Sequence, residues 1–352
     1  MNTTMTKRKA LIAMSGGVDS SAAAFLMQRE GFDCVGAIMR LRDGEACGGD
    51  SDIGAARAVA ERLGMPFYVF DFAREFSEQV VDRFVCAYLS GETPNPCIDC
   101  NRFLKFGAFL RMADELGCEV VVTGHYARVE RSEQGRYLLK KALDPRKDQS
   151  YVLASLSQEQ LARVRFPLGT YSKPEIRQLA EDAGLINARR RDSQDICFVP
   201  DGDYASFIER RTGSAAEPGN FVLEDGTVVG RHRGLLRYTL GQRKGLGIAW
   251  KTPLYVLRKD AERNEVVLSE NAALFTRELT AREFRPGAAE TLSGTHCTAM
   301  TRYQAAEVPC TATLMPDGSV RAVFSQPVRA VTPGQTVVFY SGDTVLASAV
   351  IC

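Results

Sequence analysis

Residues 10–21 read ALIAMSGGVDSS, an apolar run that breaks at two glycines and continues as a helical pattern. Ala10–Met14 has the length and composition of a buried strand, and Ser21–Arg29, stopped by Gly31, those of a helix. Between them Gly16 and Gly17 permit positive φ and bring backbone N–H groups close to an anion. Ser15, Ser20 and Ser21 add hydroxyl donors, and the following helix turns its positive end to the same point. No Gly-Lys-Ser/Thr ending follows, so this is not a Walker loop. Without that lysine the loop suits holding a departing pyrophosphate better than passing on a phosphoryl group. Asp19 is placed to help position Mg²⁺ near the phosphates. The bland alternative is a tight strand–helix turn that only packs.

Working outward, strands are expected at Cys34–Met39, Phe67–Phe70 and Glu119–Thr123. Helices are expected at Ile53–Leu63, Glu75–Leu89 and Phe103–Leu116, with two more near Gln158–Arg163 and Pro174–Ala183. This alternation predicts an α/β fold around a doubly wound parallel sheet. Ligands of such sheets bind beyond the carboxyl ends of the strands, where Ser15–Ser20 and Gly124-His125 fall. After Asp203–Arg211 the texture becomes short β-type runs, with hairpin turns expected at Asp225-Gly226 and Asp317-Gly318. The domains expected are residues 1–204, catalytic; 205–270, small and central; and 271–352, a C-terminal β-barrel.

The bulk numbers set limits. With 352 residues, 45% hydrophobic and 25% charged, the chain is a multidomain globular protein. A net charge of +1 leaves recognition of any polyanion to local clusters. Candidates are Lys7-Arg8-Lys9, Arg189-Arg190-Arg191, Arg231 to Arg237 and Arg243-Lys244, each of which alone reads as a solvated surface. No run is long enough for a membrane span or a signal peptide, so a cytosolic, membrane-free protein is expected, monomeric by default. In a reducing compartment its ten cysteines are not a disulfide framework. Cys34, Cys86, Cys118, Cys297 and Cys310 lie in apolar segments and read as small core residues.

Cys97, Cys100 and Cys197 lie among loop signals instead. In Thr93-Pro94-Asn95-Pro96-Cys97-Ile98-Asp99-Cys100-Asn101-Arg102, two prolines stiffen the approach and Asn101 is expected to cap a helix starting near Arg102. That would place Cys100 at a helix N-terminus, where the thiolate is favoured. A cytosolic Cys-x-x-Cys reads as half a zinc site, a redox pair or a catalytic thiol. Three histidines and no second Cys-x-x-Cys make zinc the weakest of these.

These pieces together resemble the bacterial-type tRNA-specific 2-thiouridylase family of the PP-loop ATP pyrophosphatase superfamily, over nearly the whole chain. The resemblance rests on SGGVDSS at 15–21, TPNPCIDCN at 93–101, TGHYAR at 123–128 and KDQSYVL at 147–153. It continues through SQDICF at 193–198, LGQRKGLG at 240–247, TRYQ at 301–304 and VTPGQ at 331–335. It implies a HUP-like ATP site made by Ala13, Met14, Ser15, Gly16, Gly17, Val18, Asp19 and Ser20, with Met39 and Gly124 near the adenosine. It implies adenylation of a tRNA uridine at its 2-oxygen, with loss of pyrophosphate, then replacement of that oxygen by sulfur. Cys197 would carry sulfur as a persulfide and Cys100 would be the nucleophile, the two forming a transient disulfide. Positions matching tRNA contacts are His125, Lys147, Asp148, Gln149, Arg302, Tyr303 and Gln335. A target base must leave its stack to reach such a site.

One position departs from the family. Many members carry Asp where this chain has Cys97, and with it goes their proton-transfer carboxylate. The change creates a three-thiol set, Cys97, Cys100 and Cys197, of the kind that related tRNA thiolases use to hold a 4Fe-4S cluster. Two routes for sulfur follow, a persulfide–disulfide relay or sulfide delivered by a cluster, and Cys97 tips the reading toward the cluster. A sulfur-donor protein or sulfide would supply the atom. Two other functions compete: a PP-loop synthetase or amidotransferase acting on a small molecule, and a non-catalytic RNA-binding protein. The first does not account for the cysteines, and the second predicts a degraded loop.

Overall fold

The computed structural model describes residues 7–41, 48–188, 196–199 and 201–352. The chain forms two compact units, and neither is continuous in sequence. The first takes residues up to 81, then 96–198 and 343–346; the second takes 82–95, 199–342 and 347–352.

The first unit is built on five parallel strands. β1 (Lys9–Ala13) is central, with β2 (Asp33–Arg40) and β3 (Phe67–Asp71) on one side. On its other side lie β4 (Val120–Val122) and Val164–Arg165. The chain therefore moves outward from β1 through β2 to β3, then returns to the opposite flank for β4. The cleft beyond the ends of β1 and β4 is the point where such a sheet binds ligands. The expected doubly wound sheet is present.

Burial explains the apolar texture: Leu11, Ile12, Val121 and Val122 are fully enclosed, as strands covered on both faces require. Helix α1 (Val18–Arg29) lays Ala22, Ala23 and Ala24 on the sheet, all fully buried, so small side chains let it pack closely. The helix Lys173–Asp182 begins at Ser172 with a reciprocal cap between Ser172 and Glu175 and a proline in its first turn.

In the second unit, Tyr255–Asp260, Glu265–Ser269, Gly219–Leu223 and Val228–His232 form a four-stranded sheet in that order. Asp225-Gly226 makes the expected turn, with Gly226 at φ +86°. The C-terminal strands close into an antiparallel barrel. Phe275–Pro286 pairs with Val320–Arg329 on one edge and with the last strand, Thr344–Ile351, on the other. Val308–Leu314, Thr295–Met300 and Thr336–Ser341 complete the ring. Inside this register Cys297 faces Cys310 across two strands, their Sγ atoms 3.6 Å apart. Closure removes the open edges that a sheet of this size would otherwise expose. Cys34, Cys118 and Cys310 are buried as expected, but Cys297 is only half-buried and Cys86 is exposed. Among the described residues no helix is long and apolar enough to cross a membrane.

Candidate active site

The loop after β1 has the shape its sequence predicts. Gly16 takes φ +70°, and Gly17 stands at the start of α1 in extended conformation with no side chain capping the helix. The first-turn N–H groups are therefore left for an anion. The serines brace the loop. Ser20 Oγ donates to the Gly17 carbonyl at 3.1 Å and accepts from Ser15 N at 3.1 Å. Ser21 Oγ also donates to the Gly17 carbonyl, at 3.0 Å. Asn187, 7% exposed, ties this turn from far along the chain, donating to the Gly16 carbonyl and to Ser21 Oγ, each at 2.8 Å.

Gly124, after β4, approaches the same loop. A Cβ added there would lie 2.8 Å from both Asp19 C and Ser20 N, closer than side chains pack. Glycine is needed at this position for proximity, not for torsion. Met39 stands at the end of β2, two positions past Ala37, which pairs with Ala13 of β1. The strand ends thus bring Ala13–Ser20 and Gly124 together, with Met39 on the neighbouring strand.

Asp19 is not free. Lys173 Nζ reaches both its carboxylate oxygens at 2.7 Å, and Tyr126 OH donates to it at 2.9 Å. The Lys173 side chain is only 9% exposed. In this arrangement Asp19 is the counter-ion of a buried lysine, so it does not fit the expectation of a metal-placing carboxylate. Lys173, Tyr126 and Asn187 are the residues that sequence reasoning missed. The Ser172–Glu175 cap signalled a helix start, but nothing in the sequence linked Lys173 to a carboxylate 154 positions earlier.

The cysteine region differs from expectation in one respect. Helical structure begins at Pro96 and runs through Pro96–Asp99, a π-helical Cys100–Ala108 and Phe109–Glu115. Cys100 is therefore inside a helical run and not at its N-terminus, and Asn101 caps nothing. Asn101 is buried instead and donates to the Val152 carbonyl at 3.0 Å. Cys100 therefore has no helix N-terminus to favour its thiolate. Cys97 lies in the first turn and is exposed, Cys100 is buried, and Cys197 is half-buried. Phe198 anchors Cys197: it is 2% exposed, with its ring 5.6 Å from that of Phe76. Among the described residues no three Cys, His, Asp or Glu side chains converge as metal ligands, so Cys97, Cys100 and Cys197 are not assembled as a cluster site here. The nine described cysteines are free thiols.

The residues expected to contact tRNA divide into two groups. Arg302 is exposed, and Tyr303 and Lys147 are half-exposed. The others face protein. Asp148 accepts from Ala142 N at 2.9 Å and from Ser150 Oγ at 2.7 Å, and Gln149 accepts from Tyr126 N at 2.9 Å. Gln335, 9% exposed, donates its side-chain amide to the Thr93 carbonyl. His125 is 8% exposed, with the Phe106 and Phe166 rings each 5.9 Å away and Thr123 Oγ1 2.7 Å from its Nδ1. Burial, with the Lys105 charge adding to it, holds its pKa well below the usual imidazole value. Arg189–Arg191 and residues 193–195 of the SQDICF motif lie outside the described residues.

Comparison with known proteins adds to this geometry. Three family profiles match in series: the tRNA methyl transferase HUP domain over residues 8–201, the tRNA methyl transferase PRC-barrel domain over 205–270 and the aminomethyltransferase beta-barrel domain over 276–351. A tRNA-specific 2-thiouridylase MnmA of Geobacter metallireducens is 46% identical over 355 residues, covering 98% of this chain and 96% of the relative. Those of Acetivibrio thermocellus and Clostridioides difficile are 44% and 42% identical, covering 99% and 98% of this chain and 100% and 98% of theirs. The chain belongs to the tRNA-specific 2-thiouridylase family. The cap, the tie and the counter-ion beside the loop after β1 come from Ser172, Asn187 and Lys173 of the same unit.

Proposed function

We propose that this chain is an ATP-dependent tRNA 2-thiouridylase acting in the cytosol on the wobble uridine. The observation that carries the reading is that an uncapped, glycine-opened helix start and two sulfur-bearing residues, Cys100 and Cys197, are folded in one compact unit. In the first step the uridine 2-oxygen attacks the α-phosphorus of ATP and pyrophosphate leaves. The N–H groups of the α1 start take up the growing negative charge, which preorganised donors stabilise at little reorganisation cost. Magnesium accompanies the nucleotide phosphates in such chemistry, and no step here is assigned to it.

In the second step a donor protein that bears a persulfide has passed its outer sulfur to the Cys197 thiolate, leaving Cys197 as a persulfide and the donor as a thiol. The Cys100 thiolate attacks the inner sulfur, forming the Cys100–Cys197 disulfide and releasing hydrosulfide. Hydrosulfide adds to C2 of the activated uridine and AMP leaves with the original oxygen. A thiol reductant then returns both cysteines to thiols. The relay is favoured over a cluster because the three thiols are not gathered as ligands. Iron and sulfide analysis of anaerobically purified protein decides it, since several irons per chain would replace the relay with the cluster. Arg302, Tyr303 and Lys147, which reach solvent, are the contacts we assign to tRNA phosphates and bases.

The test is pyrophosphate release from ATP with and without unmodified tRNA, followed by nucleoside mass spectrometry. Release that needs tRNA, together with 2-thiouridine in the product, is expected. Release driven by a small molecule and indifferent to tRNA would show a synthetase or amidotransferase instead.

A further inference from the structure

Residues 241–254 of the second unit read GQRKGLGIAWKTPL, a segment with one set of side chains packed inward and another turned out. Leu246 and Leu254, 8% and 7% exposed, join Phe221, Tyr238 and Val256 in the core on the four-stranded sheet, and Ile248 packs on that cluster. Gly230 admits Ile248, since a Cβ there would collide with its Cδ1. The two ends of the segment are tied together. Gly241 N donates to the Val256 carbonyl at 2.8 Å, and Val256 N donates to the Gln242 carbonyl at 3.0 Å. The Gln242 side chain braces the start, accepting from Thr239 N and donating to the Lys244 carbonyl, each at 3.0 Å.

This anchored segment presents Trp250, the chain's only tryptophan, 43% exposed, although so large an apolar ring is ordinarily well buried. With Arg243 and Lys251 it lines an open groove of about 670 Å³. Among the described residues no aromatic ring stacks on the indole and no cation sits over it. Arg243, Lys244 and Lys251 are all exposed, and among the described residues none has an ion-pair partner. One carboxylate bonds to the lining: Glu270 accepts from Thr252 Oγ1 at 2.8 Å. Cations remain in excess. An acidic protein would satisfy these charges but would leave the indole without a planar partner. A nucleotide satisfies both, because every base has a π-face and every phosphate a negative charge. Bases inside a helix are already stacked, so the matching nucleotide is an unpaired one.

We propose that Trp250 is a stacking platform for an unpaired base of the RNA substrate, with Arg243, Lys244 and Lys251 taking the flanking phosphates. The proposal rests on the tRNA part of the 2-thiouridylase reading, and names a nucleotide outside the base-paired stems as what is met there. The platform selects unpaired over paired nucleotides more than one base over another.

Because Trp250 is the only tryptophan, the indole emission of the full chain reports on this position alone. Emission is followed during titration with unmodified tRNA, corrected against N-acetyltryptophanamide in the same RNA, and binding is measured separately by filter retention. Saturable quenching that tracks the filter curve is expected. Trp250→Ala is expected to weaken tRNA binding about tenfold, and Trp250→Phe by about threefold or less, since a ring still stacks. Lys251→Ala should lower the slope of log affinity against log salt by about 1. A short oligouridylate is expected to quench, and a blunt RNA duplex of equal length is not. Retention of tRNA with unchanged emission, and with unchanged affinity in Trp250→Ala, would overturn the proposal and leave the 2-thiouridylase reading standing. Equal quenching by duplex and oligouridylate would make the contact purely electrostatic and overturn it as well. A chain that retains no tRNA yet is quenched by oligouridylate would sink the 2-thiouridylase reading and keep the platform. Quenching by a sulfur-donor protein and by no RNA would give the groove to that protein instead. Wild-type emission needs no variant, so the test survives a substitution that fails to fold.

Discussion

At the scale of single residues, the glycine loop after β1 depends on groups that a motif search does not connect. Gly16, Gly17 and Asp19 are legible because strand, glycine pair and helix are contiguous. Gly124 is legible because the topology sends β4 to the flank of β1. Lys173 was not legible, since a lysine after a serine cap reads as a solvated helix start until the fold brings it to Asp19. Replacing it with methionine leaves the half-buried Asp19 carboxylate without its cationic partner, at a cost of about 1–2 kcal/mol. Lys173→Met is expected to lower the melting temperature and to slow tRNA-dependent pyrophosphate release ~100-fold. Calorimetry and a pyrophosphate assay check both, and unchanged release would show the pair to be structural only. His125 supplies a pH dependence. Its folded pKa lies below its ordinary value of 6.5, so the unfolded chain takes up the proton first as pH falls. Its contribution is present above that value and is lost below it, by up to about 1.4 kcal/mol per pH unit. His232, lowered by burial too, acts with the same sign. The melting temperature is expected to fall between about pH 7 and pH 5.5, and His125→Asn to remove part of that slope but not all of it.

At the scale of elements, sequence patterning located the strands well and the cysteine helix less well. Strands of a covered sheet are continuous apolar runs, so β1, β2 and β4 are unmistakable in composition. The run from Pro96 was misread because Asn101, a good capping type, precedes a strong apolar pattern. The fold gives Asn101 another partner, the Val152 carbonyl, and the helix starts earlier. Long-range pairing overrode a local preference, as it commonly does. The barrel strands show the converse case. Asp317-Gly318 marks its hairpin plainly, with Gly318 at φ +82°, yet no local signal says that Cys297 will face Cys310. With the Sγ atoms 3.6 Å apart in paired strands, these two thiols are close enough to join with little backbone movement. Treatment with glutathione disulfide is expected to convert both to one disulfide and release two glutathione thiols. Peptide mapping checks it, and a Cys297→Ser variant should lose that link alone.

At the scale of the whole molecule, composition excluded more than it assigned. A net charge of +1 spread over 352 residues gives no general attraction for tRNA, so affinity must come from a few placed cations. Arg302, exposed just beyond the barrel strand Thr295–Met300, is one cation we propose for this role. Arg302→Ala is expected to weaken tRNA binding about tenfold and to reduce the slope of log affinity against log salt by about 1. Filter binding across a salt series measures both, and an unchanged slope would remove Arg302 from the phosphate contacts. The sequence order of motifs made the family legible, and the closed barrel was foreseen from strand texture. The interleaving of the two units was not, because nothing local marks 82–95 as belonging with the C-terminal half. The Cys297–Cys310 pair has a practical meaning as well. If it closes as expected, two electrons per chain are drawn from the barrel without any sulfur having moved to tRNA. Oxidation counted by total thiol loss would record the history of the preparation as though it were turnover. Only a count resolved by peptide separates that pair from Cys100 and Cys197.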